Sequence, residues 1–138
     1  MIEKAARFVK ETSVVIVGTG AGMGIDSGLP DFRGAQGFWN NYPTFRGKFN
    51  FMECANPNFL KKHPELFWGF YGSRLNMYRQ KHPHQGYNLL KQISMSLAKK
   101  DQDNIFAVTS NVDGHFQRAG YPDHRILEVH GSINHLQC

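Results

Sequence analysis

Val14-Val15-Ile16-Val17-Gly18-Thr19-Gly20-Ala21-Gly22-Met23-Gly24-Ile25-Asp26-Ser27-Gly28-Leu29-Pro30-Asp31-Phe32-Arg33-Gly34 is the stretch whose reading decides the fold. Its front, Val14 to Val17, is apolar without alternation, the pattern of a strand buried on both faces of a parallel sheet. The strand runs out into glycines at 20, 22 and 24. Without a Cβ, such positions let backbone N–H groups approach an anionic ligand, nucleotide phosphate first of all. The glycines do not fall at i, i+2 and i+5, and no Gly-Lys-Ser/Thr follows, so neither the dinucleotide fingerprint nor a P-loop is present.

Outward from that run, the chain reads as an α/β protein. Ile2, Ala5, Ala6 and Val9 recur at helical spacing and predict an opening amphipathic helix that packs on the sheet. Residues 35–83 are aromatic-rich, with helical spacing from Pro64 on, and predict an inserted helical module rather than sheet. Leu89, Leu90, Ile93 and Leu97 predict a further amphipathic helix, closed by a polar turn at Lys99-Lys100-Asp101. A second strand is expected at Ile105 to Thr109, a short helix through Phe116 and Ala119, and a third strand at Ile126 to Val129. The glycine run, Ser110 to Asp113 and His130 then all fall at carboxyl ends of strands, where open parallel sheets bind their ligands.

Three ordered segments resemble the sirtuin (Sir2) family. Gly20-Ala21-Gly22 through Ser27-Gly28-Leu29-Pro30-Asp31-Phe32-Arg33-Gly34 is similar to that family's glycine-rich cofactor loop. Thr109-Ser110-Asn111-Val112-Asp113 is similar to its Thr-Gln-Asn-Ile/Val-Asp, and His130-Gly131 to its His-Gly. The resemblance covers essentially the whole chain but only the front half of the family domain. It implies a Rossmann-like parallel sheet (1–34 and 84–131) with an inserted cofactor loop and helical module (35–83). Residues 132–138 would begin a zinc module, so the chain reads as truncated before that module and the second half of the sheet.

The resemblance further implies an NAD-dependent protein-lysine deacetylase or deacylase. In that reaction the acyl oxygen of an acyl-lysine attacks C1′ of the nicotinamide ribose and nicotinamide leaves. His130 then deprotonates a ribose hydroxyl, and O-acyl-ADP-ribose is formed. His130 and Asn111 would be catalytic. Gly20, Ala21, Gly22, Met23, Asp31, Phe32, Arg33, Ser110, Asn111, Val112 and Asp113 would bind NAD. Phe32 would cover the nicotinamide ribose, Asn111 would hold ribose and water, and Asp113 would read nicotinamide. Cys138 would join later cysteines around a structural zinc.

The residues themselves leave plainer alternatives open. Glycine density also suits a tight strand-to-helix turn without a ligand, and Phe32 and Arg33 also suit core packing or a surface ion pair. Asn111 and Asp113 are equally types that form Asx-turns and cap helices. A histidine's unperturbed pKa of about 6.5 suits a general base, but the chain holds seven histidines. His63, His82, His84, His115, His124 and His135 have no ligand-like neighbours in sequence and are assigned nothing. Gly24 stands where most sirtuins have Ser, and Ser110 where most have Gln, so a polar reach toward ribose is shortened. Rival readings are protein ADP-ribosyl transfer or NAD hydrolysis from the same residues, and a non-catalytic NAD- or ADP-ribose-binding module. The 138-residue chain alone is a candidate for inactivity.

Composition narrows the class further. The net charge is +5, yet Lys and Arg are scattered with no dense basic run, which disfavours nucleic acid. No apolar run approaches the roughly 20 residues that cross a bilayer, and Met1 to Ala6 lacks a signal-like apolar core, so a cytoplasmic location is expected. Cys54 and Cys138 are the only cysteines, too far apart to form a metal site by themselves. An exposed face where further strands would pack makes self-association through the sheet an expectation.

Overall fold

The structure, a computed structural model, describes residues 1–32, 35–97 and 104–137. Arg33, Gly34, the Lys99-Lys100-Asp101 turn and Cys138 lie outside the described residues. Two compact units form: Met1–Gly20 with His82–Cys138, and Ala21–Lys81.

The first unit is built on a parallel sheet. Helix α1 (Ile2–Glu11) leads to β1 (Val15–Thr19); after α7 (Gln85–Leu97) come β2 (Ile105–Thr109), α8 (His115–Arg118) and β3 (Ile126–Glu128). The strands lie in the order β1-β2-β3, all parallel. Val15 pairs with Ile105 and Thr19 with Thr109, while Ala107 to Thr109 pair with Ile126 to Glu128. Along β2, Ile105, Ala107 and Thr109 are buried and Phe106 and Val108 half-buried. Tyr87, Phe116 and Tyr121 complete this core: the Tyr87 and Phe116 rings meet at 4.9 Å, and the Tyr121 hydroxyl donates to the Tyr87 carbonyl at 2.8 Å.

Three details differ from the sequence reading. Val14 precedes the first strand, and Ile16 within it is 72% exposed, so β1 is not buried on both faces. The cause is position: β1 is an edge of the described sheet, and no residue of α1 is buried, Phe8 and Ile2 included. In α7 the buried face carries Tyr87 and Ser94, whereas Leu89 and Ile93 are exposed. The aromatic contacts of Tyr87 decide which way the helix turns, over the leucine stripe. The third strand ends at Glu128, although Val129 still donates its N–H to the Thr109 carbonyl at 3.0 Å.

The second unit is helical: α2 (Gly22–Ile25), α3 (Ala35–Asn41), α4 (Phe51–Cys54), α5 (Pro57–Lys62) and α6 (Pro64–Gln80). Its helix starts follow from sequence. Asn50 and Glu53 form a reciprocal capping box at α4, Asn56 caps α5, and Pro57 and Pro64 occupy first turns, where a missing N–H is harmless. Phe38, Phe45, Cys54, Phe59 and Phe70 form the core, with Phe32, Trp39, Tyr42, Phe49, Phe51, Phe67 and Tyr71 packed against it. Burial pushes the Cys54 thiol up to about 11, which makes it a packing residue rather than a nucleophile.

Candidate functional site

In the sheet unit, the parallel register carries polar residues to one end. The ladder continues past the strands: the Ser110 N–H donates to the Thr19 carbonyl at 3.1 Å. Gly20, Ser110 and His130 therefore follow β1, β2 and β3 at their carboxyl ends. The Thr19 hydroxyl, at the same end, is buried and makes no hydrogen bond among the described residues.

Asn111 ties two of these ends together. Its side-chain Nδ2 donates to the Gly20 carbonyl at 2.9 Å, and its backbone N–H donates to Thr109 Oγ1 at 3.1 Å. It caps no helix. Asp113 behaves differently: its Oδ1 accepts from the His115 N–H at 2.9 Å, the Asx-turn foreseen as the plainer alternative. Gly114, between them, takes φ 70° in the left-handed region, which lets the chain double back under the carboxylate. A carboxylate offers about four acceptor positions, so this bond leaves Asp113 with acceptor capacity.

His130 is exposed, and its Nδ1 lies 3.1 Å from the Ser110 carbonyl oxygen. A carbonyl only accepts, so this contact assigns the hydrogen to Nδ1 and, in the neutral ring, the lone pair to Nε2. Such an imidazole can take a proton from an adjacent hydroxyl. Val112 holds the neighbouring loop, its carbonyl accepting from the Ile133 N–H at 3.0 Å.

The helical unit carries the other half of the glycine run. Ala21 precedes α2, and a Cβ added at Gly22 would meet nothing within 4 Å, so the space beside it is open. Met23 follows within the same turn. Gly24 is buried, and a Cβ there would sit 2.9 Å from Leu29 Cδ1, so the glycine at this position is matched to the leucine that packs on it. Asp31 is exposed. Phe32 stacks on Phe51 at 5.7 Å and belongs to the aromatic cluster.

Two residues escaped the sequence reading. Arg74, 6% exposed, lies 5.1–5.5 Å from the rings of Phe70, Phe51, Tyr78, Phe32 and Tyr71, with Nε and Nη2 donating to the Tyr78 hydroxyl at 3.3 and 3.0 Å. A cation over several aromatic faces is held by their quadrupoles. The sole sequence signal is the i, i+4 spacing of Arg74 and Tyr78. His115 is fully buried, with neither ring nitrogen hydrogen-bonded. Burial lowers its pKa; Asp113 opposes that shift, while Arg118, His84 and His82 add to it.

Among the described residues, no group of three His, Cys, Asp or Glu could hold a metal ion, and no helix is long and apolar enough to cross a membrane. The described residues therefore do not by themselves accommodate a zinc ion.

Comparison with known proteins agrees with these features. The profile of the Sir2 family matches residues 20–138. An NAD-dependent protein deacetylase of Saccharolobus solfataricus is 34% identical over 99% of the chain and 49% of its own length. An NAD-dependent protein deacylase of Daphnia pulex is 31% identical over 96% of the chain and 44% of its own length. Among solved structures, a Sir2 homologue in complex with NAD superposes with a TM-score of 0.75 at 29% identity, covering 94% of this chain and 45% of that one. The chain thus spans about half the length of the curated relatives it matches.

Proposed function

The chain belongs to the Sir2 family, and from that premise we propose that the protein it comes from is an NAD-dependent protein-lysine deacylase, releasing nicotinamide and O-acyl-ADP-ribose. The observation that carries this reading is the tautomer of His130, whose Nδ1–H bond to the Ser110 carbonyl leaves Nε2 as a base at the exposed end of β3. When bound, NAD supplies an electrophilic ribose carbon with nicotinamide as leaving group.

The residues of this chain bind, orient and move protons. His130 Nε2 removes a proton from a ribose hydroxyl, and Asn111, fixed by its bond to the Gly20 carbonyl, presents its amide oxygen to ribose or water. Asp113 accepts from the nicotinamide carboxamide. Gly20 and Ala21 to Met23 offer backbone N–H groups to the diphosphate, and Val112 and Ser110 hold the loop from which Asn111 and Asp113 project. Phe32, with Asp31 and Arg33, shields and organises the nicotinamide side. A structural zinc held by Cys138 together with cysteines beyond this chain belongs to the same proposal; no step depends on it.

The test is nicotinamide release from NAD by the full-length protein, with and without an acetyl-lysine peptide, for the wild type and His130→Ala. Peptide-dependent release that falls 10²- to 10⁴-fold, or about 3–5 kcal/mol of barrier, in His130→Ala is expected. Peptide-independent release would replace this reading with ADP-ribosyl transfer or NAD hydrolysis, and calorimetric NAD binding without turnover would replace it with a binding module.

A further inference from the structure

Buried polar groups in folded proteins find partners, and a group that does not needs a reason to be there. In the sheet unit two such groups lie on neighbouring rings: the fully buried ring of His115, with neither nitrogen bonded, meets the Tyr87 ring at 5.8 Å, and the Tyr87 hydroxyl is itself buried and unpartnered. An aliphatic side chain would fill this place without an unpaired nitrogen. The ring nevertheless sits two residues from Asp113, whose carboxylate already holds the His115 N–H.

We propose that His115 is a positioning residue for Asp113: neutral, it leaves the carboxylate turned to its ligand, and protonated, it draws the carboxylate to itself and weakens NAD binding. The proposal rests on the reading of Asp113 as the acceptor for nicotinamide. The groups acting on the ring are Asp113 from the preceding loop, Arg118 from α8 and His82 and His84 from the segment before α7, with the Tyr87 ring of α7 packed against it at 5.8 Å. Asp113 is the one anion among them, so an imidazolium formed there has a single charge partner. Burial and the three cationic or titrating neighbours hold the ring neutral at neutral pH, so the linkage acts on the acid side of the ordinary histidine value.

The sign follows from the lowered pKa. The unfolded chain takes up the His115 proton first as pH falls below about 6.5, so the folded state loses stability from there downward until the buried ring itself protonates. NAD affinity falls over that second, lower interval.

The experiment measures NAD affinity of the full-length protein by calorimetry between about pH 8 and pH 5, for the wild type, His115→Leu, His115→Gln and Asp113→Asn. The wild type is expected to lose affinity by up to about tenfold per pH unit below the His115 titration. His115→Leu and His115→Gln should lose that acid limb, and His115→Leu, which leaves no unpaired nitrogen, should melt at or above the wild-type temperature. An acid limb unchanged in both folded His115 variants overturns the proposal. Asp113→Asn with undiminished affinity at pH 8 overturns instead the reading of Asp113, and the proposal with it. Without any ligand, the His115 ring should titrate by NMR with a midpoint that moves lower in Asp113→Asn, because the carboxylate that opposes the burial shift is gone. A His115 midpoint that stays where it is in Asp113→Asn overturns the linkage whatever NAD does.

Discussion

The two units of this chain solve the same problem, burying apolar surface, in opposite ways. The helical unit surrounds its core with its own aromatic rings and seals even a charge, Arg74, among them. The sheet unit keeps one well-buried row along β2 and leaves Ile16 and the whole of α1 open. Parallel sheets ordinarily have both faces covered. Taken with relatives about twice as long, the difference teaches that local sequence can complete a helical module, whereas a parallel sheet draws its cover from remote parts of a chain.

The comparison breaks most visibly at Phe70. Phe70→Ala should destabilise the helical unit by about 3–5 kcal/mol, read by denaturant unfolding followed at Trp39 and Trp68, because the ring contacts Phe38, Tyr42, Phe45 and Phe51 at once. A cost under 1 kcal/mol would mean that this core is not the sealed one described. A smaller loss sharpens the contrast: Asn50→Ala removes one arm of the α4 capping box, with about 0.5–2 kcal/mol expected in the same assay. The smallest effect belongs to the other unit. Ile16→Thr in this chain should change stability by no more than about 0.5 kcal/mol, since the side chain is already in water. A loss comparable to that of Phe70→Ala would show Ile16 to be covered, and the contrast would fail.

What could be read from sequence followed the same division. The extent of β2, the helix from Pro64 and the gathering of Gly20, Asn111 and His130 at strand ends were legible, because each depends on local pattern and on the geometry of parallel pairing. The exposure of Ile16 was not. An apolar run reports what a strand is able to bury, and only its neighbours decide what it does bury. The face of α7 was misjudged because one tyrosine with three ring partners outweighs a stripe of leucines. His115 and Arg74 were missed for a related reason: their surroundings are assembled from Tyr87 and Asp113 in one case, and from residues 32 to 78 in the other. At Asp113 the Asx-turn and the proposed acceptor role are compatible, since the His115 N–H takes up only one of the carboxylate's acceptor positions.

The bond from Asn111 to Gly20 spans 91 positions of chain, and it bears on the order in which the molecule assembles. Joining β1 to β2 requires closing that long loop, an entropic charge that grows with the logarithm of its length. If the intervening helices condense first, only about a third of the loop stays free, and closure is easier by about 1 kcal/mol. That difference is roughly fivefold in rate, so a lesion in the aromatic core should also delay protection of the β1 and β2 amides during refolding, although it touches neither strand.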